Sequence, residues 1–489
     1  MVRRLVVAAW LGFALAALFF YSLAVALDTD IYYLQWQSGD LFEAAVALVV
    51  LALGCAAAIY VLWPRADRTA LIALLLVSAL PLASFAAGIA RQLPFEDALI
   101  TLSEHRGLRW GVPAACLGLI AAGIAFWPRA FLRGLRVVLV LVSPVSLVVV
   151  ESLIASASQT DAVVSLTNTR SGVATVSSDC NPVLAVLFDE LSFSYLYADG
   201  RVRPEYPGIG AVASQATNYV SVTAPGPETL VSMPSFLASR HLRNIRVEGN
   251  GIFEMGDDGH LLPFTADRPE ALFPTARALG FSTEMAGYYL PYCDMLNGLL
   301  DACQSFSFYN MSSIDPGFSV ADPMLTTLIL WPRKLPFGLL KNPPFARLQR
   351  GLVEHTTAFA MKPMHAAKPV FRFVHFSVPH FPYAFDAEGF NPPFDPLRAS
   401  PDGAYTRQVR YVDSLFGRLM QNLRAEGTYE ETTVVVLADH GFRFGGAERD
   451  PRQIPFIVKK AGQRDREEVS TPMAGEQLLK QVLENSCRR

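Results

Sequence analysis

The sequence predicts a five-helix transmembrane bundle followed by an α/β domain with a mostly parallel central sheet. Three observations lead there. Residues 1–155 are dominated by Ala, Val, Leu and Phe, whereas the remainder reads as an ordinary soluble domain. Continuous apolar runs in the second part suit strands buried on both faces. Helical patterns separate those runs, and strands alternating with helices indicate an α/β architecture.

The whole-chain averages conceal this division. The 489 residues carry a net charge of -3, with 52% hydrophobic and 17% charged residues. A soluble domain usually carries about 25% charged residues. Disorder is excluded because the chain is apolar. The absence of a net positive field argues against nucleic acid as a partner.

The predicted spans are 5–27, 42–63, 70–90, 110–127 and 137–155. Each is about long enough to cross a hydrocarbon core of ~30 Å. The first outruns a signal-peptide core and is read as a retained helix. Arg3 and Arg4 precede it, Arg65 and Arg68 join spans two and three, and Arg129, Arg133 and Arg136 join spans four and five. The 28–41 connection carries Asp28, Asp30 and Asp40 without a base, and the 91–109 connection mixes both signs. The positive-inside rule then places the N-terminus in the cytoplasm and everything after about residue 156 on the outer face. In a bacterium this is a multi-pass inner-membrane protein with a periplasmic or extracellular domain. Residues 156–180, rich in Ser, Thr and Asn, read as a linker, leaving 181–489 as the second domain.

Cys180, Cys293, Cys303 and Cys487 fall in the outer domain, where an oxidising compartment permits two disulfides. Of three combinatorial pairings, Cys293–Cys303 with Cys180–Cys487 is favoured: one closes a short loop, the other staples the domain's ends. Cys55 and Cys116 lie within predicted spans.

Buried strands are predicted at 182–188, 370–376 and 433–438, with a fourth at 454–458 where Pro455 points to an edge or a strand start. Helical spacing is seen over 404–425 and over 269–279. The strand ends carry the chemistry, as α/β sheets bind ligands beyond carboxyl edges. The first strand runs into Asp189-Glu190, another into Asp439-His440-Gly441, and a third into His375-Phe-Ser-Val-Pro-His380. Carboxylates and imidazoles gathered at one edge form a candidate divalent metal site. Taken singly, each has an ordinary reading as a helix cap, a turn or a packed loop histidine.

In combination these motifs resemble the alkaline phosphatase/sulfatase superfamily, and most of all its membrane-anchored phosphotransferase branch. The resemblance covers about 180–460 and rests on four motifs in order: Val183 to Asp189, Thr229-Leu-Val-Ser-Met-Pro-Ser, His375 to Tyr383, and Leu437-Ala-Asp439-His440-Gly441. It implies an alkaline-phosphatase-like domain, Thr229 as nucleophile, and Asp189, Thr229, Asp439 and His440 as metal ligands. His380 is then expected to orient the transferred group or bind a second metal. Glu190, His375, Asn218 and Arg443 are candidates for contacts to substrate, with Arg449 an alternative to Arg443. An imidazole ligand favours Zn, with Mn or Mg as alternatives.

The branch implies transfer of a phospho-alcohol head group from a phospholipid donor, through phospho-Thr229, to an envelope lipid or glycan. Two alternatives stand beside it: a phosphoester hydrolase with the same site, and a non-catalytic envelope protein. A sulfatase in the strict sense requires Cys or Ser in Cys/Ser-x-Pro-x-Arg, and Ser232-Met-Pro-Ser-Phe236 lacks the Arg. The further His common after Asp-His-Gly in relatives is absent from 442–450. The apolar, basic stretch 330–341 is expected either at the membrane surface or as a buried loop.

Overall fold

A computed structural model describes residues 2–21, 38–65, 67–92, 118, 122, 125–158, 167–169, 179–248, 251–256, 260–307, 344–364, 368–391, 401–443 and 451–487. The chain divides into two compact units, a helical one over the N-terminal region and an α/β one after it.

The helical unit contains α1 (Val2–Phe19), α2 (Ser38–Leu62), α3 (Arg68–Gln92), α4 (Pro128–Val142) and α5 (Val145–Ser158). Among the described residues, three segments are long and apolar enough to cross a membrane: Val2–Phe19, Ala45–Leu62 and Pro128–Glu151. Five such spans were expected. The expected span at 110–127 falls mostly outside the described residues. The expected span at 137–155 begins earlier, at Pro128, because Pro is well suited to the first turn of a helix. A break at Ser143 and Pro144 separates α4 from α5. Arg129, Arg133 and Arg136, expected between two spans, lie inside α4, because that helix starts at Pro128. Arg4 Nε, in α1, donates to the Tyr60 carbonyl at 3.0 Å, and Arg136 Nη2, in α4, to the Arg65 carbonyl at 2.5 Å.

Among the described residues, the α/β unit is built on a ten-stranded sheet. Its strands are β1 (Thr167–Thr169), β2 (Val183–Phe188), β3 (Thr217–Thr223), β4 (Ser282–Tyr289), β5 (Ala302–Ser307), β6 (Val370–Phe376), β7 (Thr433–Ala438), β8 (Gln453–Lys459), β9 (Glu467–Val469) and β10 (Met473–Ala474). The order is β1-β5-β4-β6-β2-β7-β8-β3-β9, with β10 also on β3. The run β5-β4-β6-β2-β7 is parallel throughout. The helices used below are α6 (Thr229–Ala238), α7 (Leu272–Ala278), α8 (Tyr292–Met295), α9 (Pro344–Ala360), α10 (Pro401–Ala425) and α11 (Gly475–Asn485).

The aliphatic runs become the central strands because each is covered on both faces. Every residue of β2, β6 and β7 is buried. Two expectations need correction. β8 is not an edge strand: it lies between β7 and β3 and is antiparallel to both. Pro455 is accommodated by a register shift between Ile454 and Phe456, since a bulge needs no ladder bond from that residue. The stretch expected to be linker contributes β1, which pairs antiparallel with β5.

The disulfides are Cys180–Cys487 and Cys293–Cys303, as favoured from the sequence. The first joins residues 307 apart and ties β2's approach to the end of α11. The stretch 330–341 lies outside the described residues.

Candidate active site

Because β2 and β7 are parallel and in register, with Phe188 opposite Ala438, both chains leave the sheet at the same level. That alone brings Asp189 beside Asp439 and His440, 250 residues apart in sequence. Side chains alternate along strands, so Asp189 and Asp439 share the face that carries Leu187 and Leu437. The two carboxylates and the His440 imidazole have ligand atoms within 4.8 Å of one another. Asp439 and His440 are completely buried and Asp189 is nearly so.

Thr229 is the first residue of α6, and its hydroxyl donates to Asp439 Oδ2 at 2.6 Å. The helix begins there because Glu228 is extended and Gly226 turns tightly against the helix. A Cβ at Gly226 would lie 2.7 Å from Val231 Cβ, so only glycine permits this approach. Ser232 Oγ closes the turn, donating to the Gly226 carbonyl and accepting from its N–H. Asp439 Oδ1 accepts the backbone N–H groups of Glu190 (3.0 Å) and His440 (2.8 Å).

The donor set fits a cation. His440 Nδ1 is 2.9 Å from the Gly441 carbonyl, which can only accept, so Nδ1 carries the proton. Nε2 then presents its lone pair, 3.4 Å from Asp439 Oδ2 and 3.7 Å from Asp189 Oδ1. Neither distance makes a hydrogen bond of ordinary length. Both His440 Nε2 and Asp189 Oδ1 are buried without a hydrogen-bond partner. Three electron-rich atoms converging in a dry site repel each other unless a positive charge stands between them. Burial, Asp439 and Glu190 together push the Asp189 carboxyl well above the usual carboxylate range. Burial also works to raise Asp439, but His440, His375 and the bonds from Thr229 and Glu190 outweigh it, and Asp439 is held low.

A second group stands at the rim. Glu190 is fully buried and held at φ 68, a conformation that side chains seldom adopt. Tyr405 fixes it there by donating to the Glu190 carbonyl at 2.6 Å. Arg443 donates to Glu190 Oε1 from both its backbone N–H and Nε, each at 3.3 Å. Its Nη2 lies 3.1 Å from His380 Nε2, while His380 Nδ1 is 2.7 Å from the Phe381 carbonyl. The His380 imidazole is therefore neutral and its basicity is lowered, chiefly by burial.

Of the residues read from the sequence, Asp189, Thr229, Asp439 and His440 form one cluster, with Glu190, His380 and Arg443 linked beside it. His375 is wholly buried and bonded to Tyr292, so it is not placed to touch substrate. Asn218 does not belong to the site. Its amide donates to the Ala213 and Ala216 carbonyls and accepts from Tyr197, which commits it to holding the start of β3. Arg449 lies outside the described residues. Tyr405 and Tyr292 carried no sequence signal; each meets its partner only through the fold, 215 and 83 residues away.

A family model described as Sulfatase matches residues 182–484. Similar solved structures include the phosphonate monoester hydrolase of Agrobacterium radiobacter, at 15% identity and TM-score 0.41, covering 63% of this chain and 73% of that one. A phosphonate monoester hydrolase from Silicibacter pomeroyi is 17% identical, with TM-score 0.41 and coverage of 63% and 74%. A putative sulfatase from Bacteroides thetaiotaomicron is 13% identical, with TM-score 0.41 and coverage of 63% and 70%. No curated protein matches the sequence closely enough to count as a relative.

Proposed function

This chain belongs to the sulfatase family and is an enzyme of sulfatase-like type, and from that premise we propose a membrane-anchored, metal-dependent phosphotransferase. The observation that carries the reading is the Thr229 hydroxyl, an unmodified nucleophile 2.6 Å from Asp439 Oδ2 in a buried cluster of metal-ligating type.

Asp189, Asp439 and His440 would hold the ion together with Thr229, and the mixed nitrogen and oxygen set suits Zn, with Mn or Mg as alternatives. Bound there, the ion would favour the alkoxide of Thr229 and offset charge on the phosphoryl oxygens. Thr229 Oγ1 gives its proton toward Asp439 Oδ2 and attacks phosphorus. The bond from phosphorus to the lipid alcohol breaks, and that oxygen takes up the proton that Asp439 received from Thr229. An acceptor hydroxyl then attacks, the bond from phosphorus to Oγ1 breaks, and the acceptor's proton restores the threonine. Arg443, held in place by Glu190 and His380, orients the non-bridging oxygens; a guanidinium matches such oxygens in a planar, two-point fashion.

The donor is a phospholipid with a phosphoethanolamine or phosphoglycerol head group, and the acceptor an envelope lipid or glycan. The apolar helices support this, because a lipid donor resides in the bilayer. The five-span anchor, cytoplasmic N-terminus and outer-face location belong to the same proposal. Arg65 and Arg68, at the junction of α2 and α3, and the two disulfides support them.

The test is mass spectrometry of the Thr229 peptide after full-length protein is incubated with phosphatidylethanolamine or phosphatidylglycerol. The expected result is a head-group adduct on Thr229 that is lost in Thr229→Ala and discharged by an acceptor. An adduct discharged only by water makes the chain a hydrolase. No adduct and no metal-dependent release of product sinks the reading.

A further inference from the structure

The proposed reaction makes no use of the Tyr292–His375 pair. Both side chains are completely buried. Tyr292 opens α8, just after β4, and His375 is the penultimate residue of β6. Tyr292 Oη lies 2.7 Å from His375 Nδ1. Tyr292 has no other hydrogen bond from its hydroxyl among the described residues, so its proton goes to Nδ1. The ring's own proton is then on Nε2. That atom is buried and has no partner. A donor in this state has lost water and gained nothing, which calls for an explanation.

Position supplies one. β6 pairs with β2 so that His375 stands opposite Leu187, and β2 pairs with β7 so that Leu187 stands opposite Leu437. Asp189 and Asp439 are two residues further along on the same face. The Asp189 N–H continues the ladder by donating to the Phe376 carbonyl at 3.0 Å. Among ionisable neighbours, Asp439 acts most strongly on His375, followed by His440 and His380. On this face both oxygens of Asp439 are already engaged, whereas Asp189 Oδ1 has no hydrogen bond.

The fold also makes room for the pair. A Cβ at Gly287, in β4, would stand 2.6 Å from Tyr292 Cε2 and 3.1 Å from His375 Cβ. Glycine at that position lets the tyrosine ring lie against the histidine.

We infer that His375 is a positioning residue of the metal centre: Tyr292 fixes its ring so that Nε2–H is held for the carboxylate edge formed by Asp189 and Asp439. Outer hydrogen bonds of this kind orient ligands, and their loss typically weakens metal binding about 10- to 100-fold. The inference rests on the metal-site reading above and adds to it a support built from three elements.

The experiment is calorimetric titration of metal-stripped, full-length protein with Zn²⁺ alone, beside thermal unfolding of the same metal-free samples. His375→Leu is expected to weaken Zn²⁺ binding about 10- to 100-fold. The metal-free melting temperature should hold or rise, because an orphaned buried donor has been replaced by an apolar group. His375→Gln, which keeps an N–H donor, should recover part of the affinity. Tyr292→Phe, which removes one hydroxyl, should weaken binding in the same direction and provides the answer if His375→Leu does not fold. Unchanged affinity in both variants overturns the inference. So does a loss of affinity matched by a fall in metal-free melting temperature, which marks an ordinary packing residue. Failure of the unaltered protein to bind Zn²⁺, Mn²⁺ or Mg²⁺ instead removes the metal-site reading on which the inference stands.

Discussion

The strand Val183–Phe188 and the helix segment Ala45–Leu62 are made of the same kinds of residue and meet opposite surroundings. Every residue of the strand is buried, whereas 6% of the helical segment is. Leu53 in the helix is 67% exposed, and Val186 in the strand 0%. Hydrophobicity therefore reports what a segment avoids, not what covers it. In the strand, neighbouring protein covers the aliphatic side chains at the density of a crystal. In the helix, the protein leaves them uncovered, over a length and composition that suit a membrane span. Charge divides in the same way. Among the described residues of the helical unit the basic side chains are arginines, most of them near helix starts or in α4, and acids and histidines mark the strand ends of the α/β unit.

The largest expected effect tests whether the strand ends carry the chemistry. Thr229→Ala removes the nucleophile but leaves Asp189, Asp439 and His440 in place. Turnover is expected to fall by at least about 10⁴-fold, roughly 5.5 kcal/mol of barrier. Steady-state assays should show this with the metal-free melting temperature changed little. A residual rate within about tenfold of the starting value would remove the covalent route.

The next effect bears on the two kinds of apolar surface. Val186→Asp buries an unpaired carboxyl in the sheet and should cost more than about 4 kcal/mol, enough to abolish soluble folding of the α/β unit. Leu53→Asp meets lipid instead and should cost about 3 kcal/mol of insertion. Alkaline extraction of membranes would then release a larger fraction of Leu53→Asp protein with the catalytic domain still folded. Equal behaviour of the two variants would break the distinction drawn between these segments.

A third test separates the site from the rest of the core. His375 is lowered from 6.5 to about 4, chiefly by burial. The folded state resists protonation that the unfolded chain accepts. The contribution is thus present above pH 6.5 and lost as pH falls through about 4, a span worth about 3 kcal/mol. Denaturant midpoints of metal-free protein should fall across that window, and His375→Leu should flatten the fall. Asp189 works in the other sense. Its raised carboxyl favours the folded, metal-free state at acid pH, and metal uptake must remove its proton. Zn²⁺ affinity should therefore decline as the solution is acidified.

Much of this arrangement was legible in the sequence because parallel strands bring their ends to one edge whatever lies between them. Asp189, Thr229, Asp439 and His440 could be named from motifs alone, and the cysteine pairing from loop size and position. What escaped depends on contacts across the fold. Tyr292 meets His375 only because β4 and β6 are neighbours, and tyrosine before a short helix has no distinctive spacing. Asn218 was a candidate for contact to substrate, but β3 begins at Thr217 and its amide is spent on local carbonyls. Pro455 read as an edge marker because a bulge inside a sheet leaves no trace in composition. The number of spans was the least legible quantity, because a proline can open or interrupt an apolar helix, as Pro128 and Pro144 do, or sit inside one, as Pro81 does.

The smallest expected effect concerns the rim, where the two halves of the comparison meet in one residue type. In the helical unit, Arg4 of α1 and Arg136 of α4 hold backbone carbonyls of neighbouring segments. Arg443 instead spans two side chains, Glu190 at 3.3 Å and His380 at 3.1 Å. A guanidinium can serve both partners from one plane, and a lysine ammonium cannot. Arg443→Lys keeps the charge and loses the geometry. It should raise KM about tenfold, near 1.4 kcal/mol, with a smaller change in kcat. Arg136→Lys, in α4, should leave both constants unchanged. If Arg443→Lys instead lowers kcat at constant KM, the guanidinium acts only on the transition state, and its place is with Thr229 in the chemistry, not with substrate at the rim.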